Sequence, residues 1–431
     1  MLCFQDQGDS LQDTSSFDMT MSDDDMCLPE HDALTPPTFP IYLYYPPSKR
    51  YIDIAKAYRD ELSDMSLLFD EVIPLLFPHI SVSFVKSLAQ VFLTRLFSRE
   101  EREELKGMSI AAGIPLYLLV GFNTILDFLI GCSSGGVRTQ DQDGPEKMIH
   151  FRTLDWGMEH LRSLVIRLEY IRAPGDKPIA HAITYAGFIG VLTGVRKGLS
   201  MSLNVRPTHD RTRFLADRRL FLHNLLVLCG WRQSISSLLR SYLLSPEVPD
   251  LVDIAESLPR RRTTPAHLIF CDGKRTMIFE KDYRSAVILS AQDFITITNH
   301  DINQDGSDKL LETANLVPST IIGMKDIFDE SVDRRKCMTS YWKAHVKSVQ
   351  RQRLDEAKRK RIRGQRRALE EGDDSGVSIK TKSLIGWVNR WPITNESTHY
   401  ATLMDPTDGR ILWAKAYPTP PQEPVGYLQQ F

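Results

Sequence analysis

The amino-acid sequence predicts an α+β sandwich in which helices cover a mostly antiparallel sheet. Three observations carry that expectation. Residues 51–131 show helical spacing and long apolar stretches; after Gly131 the hydrophobic period changes from 3.6 to 2; and the period-2 segments that follow are interrupted by helical spacing at 213–229 and 233–244. With 431 residues, 42% apolar and 25% charged, the chain has room for one large domain or two small ones, and disorder is excluded as its overall state.

Taken in order, residues 1–38 stand apart. They hold nine carboxylates (Asp6, Asp9, Asp13, Asp18, Asp23, Asp24, Asp25, Glu30, Asp32) and no Lys or Arg. The whole chain has 53 basic and 55 acidic side chains, a formal charge of −2, so the remainder carries +7. That balance does not suit a nucleic-acid binder. The leader has too few apolar residues to offset the cost of ordering and is expected to be disordered up to Pro36-Pro37. It lacks a basic n-region and an apolar run of about 7 to 15 residues, so no secretory signal is expected and an intracellular location is the default, with no compartment specified.

The segment 39–131 reads as a helical region. Phe39–Pro47 is an aromatic strand or arm, and 51–65 has helical spacing. Residues 67–97 are strongly apolar but carry Pro74 and Pro78, which predicts two or three short helices. Ser98 followed by Arg-Glu-Glu is a helix start, with Ser98 as N-cap. Ile114–Gly131 is long enough to suggest a membrane span. Pro115, Gly121, Asn123 and Asp127 interrupt it, and no basic cluster flanks it, so a buried helix fits better.

Beyond Gly131, Leu164–Arg172 and Leu199–Val205 alternate as half-buried antiparallel strands, the second with Ser200, Ser202 and Asn204 on its polar face. Hairpins are expected at His267–Phe279, turning at Asp272-Gly273, and at Thr398–Tyr417, turning at Asp408-Gly409, with strands at 285–289 and 294–298. Residues 351–367 carry nine basic and two acidic side chains within an insertion at about 347–382. A solvated helical insertion or loop, affinity for an anionic membrane surface, and an import signal all fit that composition.

Six cysteines (Cys3, Cys27, Cys132, Cys229, Cys271, Cys337) without CxxC spacing form neither a disulfide framework nor a zinc site, and no metal or cofactor is expected. Cys132 sits where the period changes. A small buried hydrophobe is one reading of it; the other follows from its surroundings. Cys132–Thr139, a turn-rich Gln140–Pro145 and Lys147–Asp155 read as a hairpin centred near Asp143. Antiparallel pairing about 143 sets residue 132 opposite 154, with Arg152 and Asp155 flanking the thiol. Arg stabilises thiolate, and Asp orients Arg or takes a proton from a nearby amine. A cut before Cys132 would also free an α-amine of pKa about 7.7 to 8.0, suited to general-base work. Asn299, in phase with Ile295 and Ile297, is a polar side chain on an apolar face; a catalytic donor and a buried Asn satisfied by backbone are both open readings.

Six motifs in order, Gly131-Cys132-Ser133-Ser134, Arg152-x-x-Asp155-x-Gly157, Gly187-x-x-Gly190-x-x-Thr193-Gly194, Leu203-Asn204-Val205-Arg206, Thr298-Asn299-His300-Asp301 and Asp333-Arg334-Arg335, resemble those of the acid ceramidase and N-acylethanolamine-hydrolysing acid amidase family. A Pro46-Pro47-x-x-Arg50-Tyr51 element extends the likeness, which runs from about Phe39 to Tyr417.

The resemblance implies an N-terminal-nucleophile (Ntn) hydrolase αββα sandwich and self-cleavage between Gly131 and Cys132. It implies that residues up to 131 become a helical α-subunit and 132–431 the catalytic β-subunit, the fragments staying associated. It implies Cys132 as nucleophile with its α-amine as base, Arg152 and Asp155 as positioning groups and Asn299 as oxyanion donor. Arg334 is a weaker catalytic match, and Asn204 and Arg206 substrate-side contacts. The implied substrate is a fatty-acyl amide lipid, ceramide or N-acylethanolamine, with peripheral membrane contact. Bile-salt-like or penicillin-like acyl amides, and a non-catalytic scaffold, are the rival readings. The family's Glu after the Leu-Asn motif is here Val205, and its Gly-Arg-Asn-x-Asp is here Phe151-Arg152-Thr153-Leu154-Asp155.

Overall fold

A computed structural model of the full chain describes residues 35–76, 79–125, 131–142, 144–212, 214–304, 324–362 and 376–424. Residues 1–34 of the acidic leader, Asp143 at the hairpin tip and 363–375 of the basic insertion lie outside these residues. The described part falls in one compact unit.

The chain opens with β1 (Thr38–Tyr42) and short helices α1 (Ile52–Ala57) and α2 (Arg59–Ser63), followed by α3 (Met65–Leu76) and α4 (Val82–Phe92). Pro74 lies inside α3 and does not end it. Helix α5 (Arg99–Ala112) starts as expected, the Ser98 hydroxyl accepting from Glu101 N at 3.4 Å, and stops at Gly113, whose φ of 74° needs a residue without Cβ. The apolar run then forms α6 (Leu116–Ile125), a helix buried along most of its length. Among the described residues no helix is long and apolar enough to cross a membrane.

Next come β2 (Gly131–Thr139), β3 (Lys147–Asp155), β4 (Val165–Ile171), β5 (Ala180–Tyr185), β6 (Thr193–Arg196) and β7 (Leu199–Val205). Helices α7 (Ala216–Leu228), α8 (Ile235–Leu243) and α9 (Leu251–Ser257) precede β8 (Ala266–Cys271), β9 (Thr276–Lys281), β10 (Ala286–Ala291) and β11 (Phe294–Ile297). The long α10 (Met324–Ile362), α11 (Thr381–Val388) and the hairpin β12 (Thr398–Asp405) and β13 (Arg410–Ala416) complete the chain. Residues 351–362 of the basic segment continue α10, and those through Arg359 are largely exposed.

The strands form two sheets, ordered β1-β4-β5-β6-β7-β8-β9-β10 and β11-β2-β3-β12-β13, antiparallel except for β1 with β4. The inner faces meet through β2 and β3 against β7 and β8, and through β12 and β13 against β6. Helix α8 covers the outer face of the first sheet, while α10 and α11 cover the second. The chain is thus an αββα sandwich. Gly135 permits the close approach of β2 to its neighbours, since a Cβ there would meet Ile295 O at 2.1 Å and the Phe151 ring at 2.9 Å.

One expectation is corrected. Strand β7 is buried on both faces, where alternation suggested a half-buried strand. Its polar face, Ser200, Ser202 and Asn204, points between the sheets and meets His150, Ser134 and Arg152. Polar residues alternate there because a polar layer sits between the sheets, while water is excluded.

Candidate active site

The β2–β3 register is the one counted from the hairpin: Cys132 pairs with Leu154, Ser134 with Arg152 and Gly131 with Asp155. Cys132 thereby enters the inter-sheet space fully buried, and Arg152 Nη2 lies 3.0 Å from its Sγ. The same guanidinium donates through Nη1 to Leu203 O at 2.7 Å and to Asn204 Oδ1 at 3.2 Å, so β7 fixes its orientation. Asn204 is held in turn by Ser134 Oγ at 2.7 Å and by its own donation to Ile297 O and Thr298 O. Sγ also lies 3.6 Å from Leu203 O.

The second group gathers around the Cys132 nitrogen. That nitrogen donates to Asn299 Oδ1 at 2.9 Å, Asn299 Nδ2 donates to Val205 O at 2.9 Å, and Arg334 Nη2 donates to Asn299 Oδ1 at 3.1 Å. Arg334 Nη1 forms a buried ion pair with Asp155. Thr398 Oγ1 donates to the other Asp155 oxygen at 2.7 Å. Five sequence-predicted residues, Cys132, Arg152, Asp155, Asn299 and Arg334, are therefore one contiguous buried cluster, with Asn204 behind Arg152.

Arg206 is placed differently. Its Nε and Nη2 each lie 2.6 Å from a different Asp301 oxygen, and Nη1 contacts Asp282 at 3.2 Å, so it serves a structural ion-pair network. His267, Glu280 and Asp301 bring one ligand atom each within 4.8 Å of one another, a spacing a metal could use. The Arg206 guanidinium already holds both Asp301 oxygens, which places a cation where the metal would go.

Burial pushes the Cys132 thiol up to about 11; the Arg152 charge opposes this, and Asp155 adds to it. The group is accordingly a neutral thiol, and nucleophilic attack by it would need a base to take its proton. The departures from the resembled family are also located. Val205 presents its carbonyl to Asn299 in the place where the family has a carboxylate, and Phe151 packs in the core under α10 and α11.

Sequence reading missed Thr398, Ser331, Tyr185 and Tyr400. Ser331 Oγ accepts from Asn299 N at 2.8 Å. Thr193 Oγ1 and Tyr400 hydroxyl lie 2.8 Å apart, and the Tyr185 hydroxyl lies 2.9 Å from His399 Nδ1. Burial raises both phenols, and a charge on Cys132, were it ionised, would add to each. Thr398, at the first position of β12 and directly before His399-Tyr400, was the nearest thing to a signal.

Residues 35–97 match the family model described as the beta subunit of N-acylethanolamine-hydrolyzing acid amidase, and these are residues that precede Cys132. Acid ceramidase of Bos taurus is 33% identical over 123 residues, 25% of this chain and 30% of that protein. N-acylethanolamine-hydrolyzing acid amidase of Caenorhabditis elegans is 29% identical over 234 residues, 49% of this chain and 62% of that protein. In sequence the chain is thus similar to acid ceramidases and N-acylethanolamine-hydrolyzing acid amidases. The matched stretches span less than two thirds of these relatives' own lengths. A solved structure of the Caenorhabditis elegans N-acylethanolamine-hydrolyzing acid amidase ortholog aligns at a TM-score of 0.41 and 19% identity, covering 66% of this chain and 100% of that one.

Proposed function

We propose that the protein is a lipid amidase of this family, an N-terminal-nucleophile cysteine hydrolase that cleaves the amide of ceramide to a sphingoid base and a fatty acid, with N-acylethanolamines as second substrate. The observation that carries the reading is the Cys132 cluster. One residue offers a thiol held 3.0 Å from a guanidinium and a backbone nitrogen held 2.9 Å from an amide oxygen, both in a buried polar layer.

Two steps follow. In the first, the Cys132 thiol attacks the Gly131 carbonyl, the Gly131–Cys132 peptide bond breaks, the nitrogen takes the thiol proton and leaves as the α-amine, and water hydrolyses the resulting thioester to the Gly131 carboxylate and the free thiol. Fragments of 131 and 300 residues result. In the second, the α-amine accepts the thiol proton while sulfur attacks the substrate amide carbon. The proton then passes to the departing amine, leaving a thioester that water hydrolyses. Arg152 and the Asp155–Arg334 pair hold the thiol and amine in place; Asn299 Nδ2, which faces the Val205 carbonyl in the uncut chain, is assigned to the oxyanion once cleavage frees that side of the site.

The exposed apolar side chains Phe84, Leu88, Val91 and Phe92 of α4 support peripheral contact with an acyl chain or bilayer. An intracellular location belongs to the same proposal and is tested by fractionating the host. The deciding experiment is N-terminal sequencing of the larger fragment of purified protein, which should begin at Cys132. The Cys132→Ala variant should remain one chain and be inactive. An uncut chain that still hydrolyses amides overturns the mechanism. Val205 in place of a family carboxylate favours one rival, a non-catalytic scaffold; failure to self-cleave with Cys132, Arg152 and Asp155 intact would support it.

A further inference from the structure

Beside α7 lies an open cavity of about 580 Å3 into which five arginines converge: Arg219 from α7, Arg232 after it, Arg260 and Arg262 after α9, and Arg284 in the β9–β10 turn. Two carboxylates share the wall and both are engaged. Asp282 accepts from Arg206 Nη1 at 3.2 Å and from Asp210 N at 2.6 Å, and Asp210 accepts from Thr212 N at 2.9 Å and Thr212 Oγ1 at 2.6 Å. Among the described residues none of the five guanidinium groups forms an ion pair with a carboxylate; Arg232 contacts the ring of His223 at 3.1 Å and the Tyr283 hydroxyl at 3.3 Å. The field of this cluster is felt nearby, since burial, Arg232, Lys281 and Arg262 together push His223 down to about 4.

Five cations facing two committed anions repel one another across the cavity, and a multivalent anion relieves that repulsion. Guanidinium forks match phosphate oxygens, and four separate stretches of chain supply them. The volume exceeds that of inorganic phosphate and leaves space for an organic group. Phe221, Leu222 and Leu225 are exposed along the same helix α7 that supplies Arg219, so that organic group is either a soluble skeleton or the chain of a lipid.

We propose that this cavity binds a phosphate-bearing ligand, through the phosphate itself. The site holds none of the residues of the Cys132 cluster, so its occupancy is measured independently of amide hydrolysis. The experiment titrates sn-glycerol 3-phosphate into the full-length protein by calorimetry at two salt concentrations. In parallel, the protein is pelleted with phosphatidylcholine vesicles that contain or lack phosphatidic acid.

Two double variants, Arg260→Gln with Arg262→Gln and Arg219→Gln with Arg284→Gln, remove exposed cavity charges. A control, Arg351→Gln with Lys358→Gln, removes two exposed charges from α10. Unchanged thermal unfolding shows that the variants fold. Glycerol phosphate should bind wild type and control alike, more weakly in salt, and about tenfold or more weakly in each cavity variant through loss of charge-assisted hydrogen bonds. Binding only to phosphatidic acid vesicles, with the same dependence on the cavity variants, supports the site with a lipid headgroup as its source. Binding of neither probe, or cavity variants no weaker than the control, overturns the proposal.

Discussion

At the scale of single residues, Cys132 depends on the fork of Arg152. That side chain reaches Sγ at 3.0 Å, Leu203 O at 2.7 Å and Asn204 Oδ1 at 3.2 Å from one rigid plane. Lysine offers a single ammonium and cannot make all three contacts from that position. Arg152→Lys should therefore fold but slow both self-cleavage and amide hydrolysis by about ten- to a hundredfold, the loss expected for one or two hydrogen bonds to a charged group. The fraction of cleaved chain against time and kcat/KM measure it; wild-type rates would show that the guanidinium is only structural. The proposed nucleophile, its arginine and its aspartate were legible in the sequence because one short hairpin carries all three. Thr398, which completes the Asp155 carboxylate from 243 positions away, left no local trace.

At the scale of elements, the polar layer between β3 and β7 places His150 between Ser200 Oγ at 3.0 Å and Ser202 Oγ at 2.9 Å. Burial, helped by Arg152, pushes its pKa down to about 3, and burial does the same to His399. The unfolded chain takes up protons on both rings below their ordinary value of 6.5 while the folded chain does not. Stability is therefore fully present above about pH 6.5 and is lost as pH falls toward 3, by up to about 1.4 kcal/mol per pH unit per histidine. Thermal midpoints between pH 7 and 4 should fall, and His150→Gln should flatten the slope; an unchanged slope would show that His150 does not titrate in this way. Helices α5 and α8 are joined by a second buried network. Glu104 Oε1 lies 2.7 Å from Arg240 Nη2 and 3.0 Å from Arg50 Nη1, the arginine of the Pro-Pro-x-x-Arg element. Glu104→Gln leaves Arg240 buried without its counter-charge and should cost about 3 to 5 kcal/mol, read from the shift in denaturation midpoint. A cost near zero would mean that the pair is replaceable by neutral hydrogen bonds.

At the scale of the molecule, a single apolar core runs across the proposed cut. Ile54, Leu105 and Phe122 from before Gly131 pack in one cluster with Leu168, Leu203 and Tyr400 from after it, and β1 lies in the same sheet as β4. Cleavage removes one peptide bond and none of that burial, so the two fragments should co-elute under native conditions and separate only in denaturant. Fragments that part on native size exclusion would contradict the single core. The helix–strand division at Gly131 and the turns at Gly273 and Gly409 were readable in advance, because period and turn chemistry are local properties. The 39-residue α10 was not, although it supplies Arg334, because a helix with a mixed polar surface and no sharp apolar stripe carries little periodic signal.

By itself the sequence determined the α+β class with helices over a mostly antiparallel sheet, the β2–β3 register and the company of Cys132, since strand period and hairpin length fix which residues stand opposite each other. Only the tertiary structure decided the rest. It turned the polar face of β7 inward to hold Arg152, brought Arg334 to Asp155 across 179 positions and turned Arg206 away to Asp301. Those choices belong to the packing of two sheets and a long helix against one another, and contacts between surfaces remote in sequence leave no pattern along the chain that makes them.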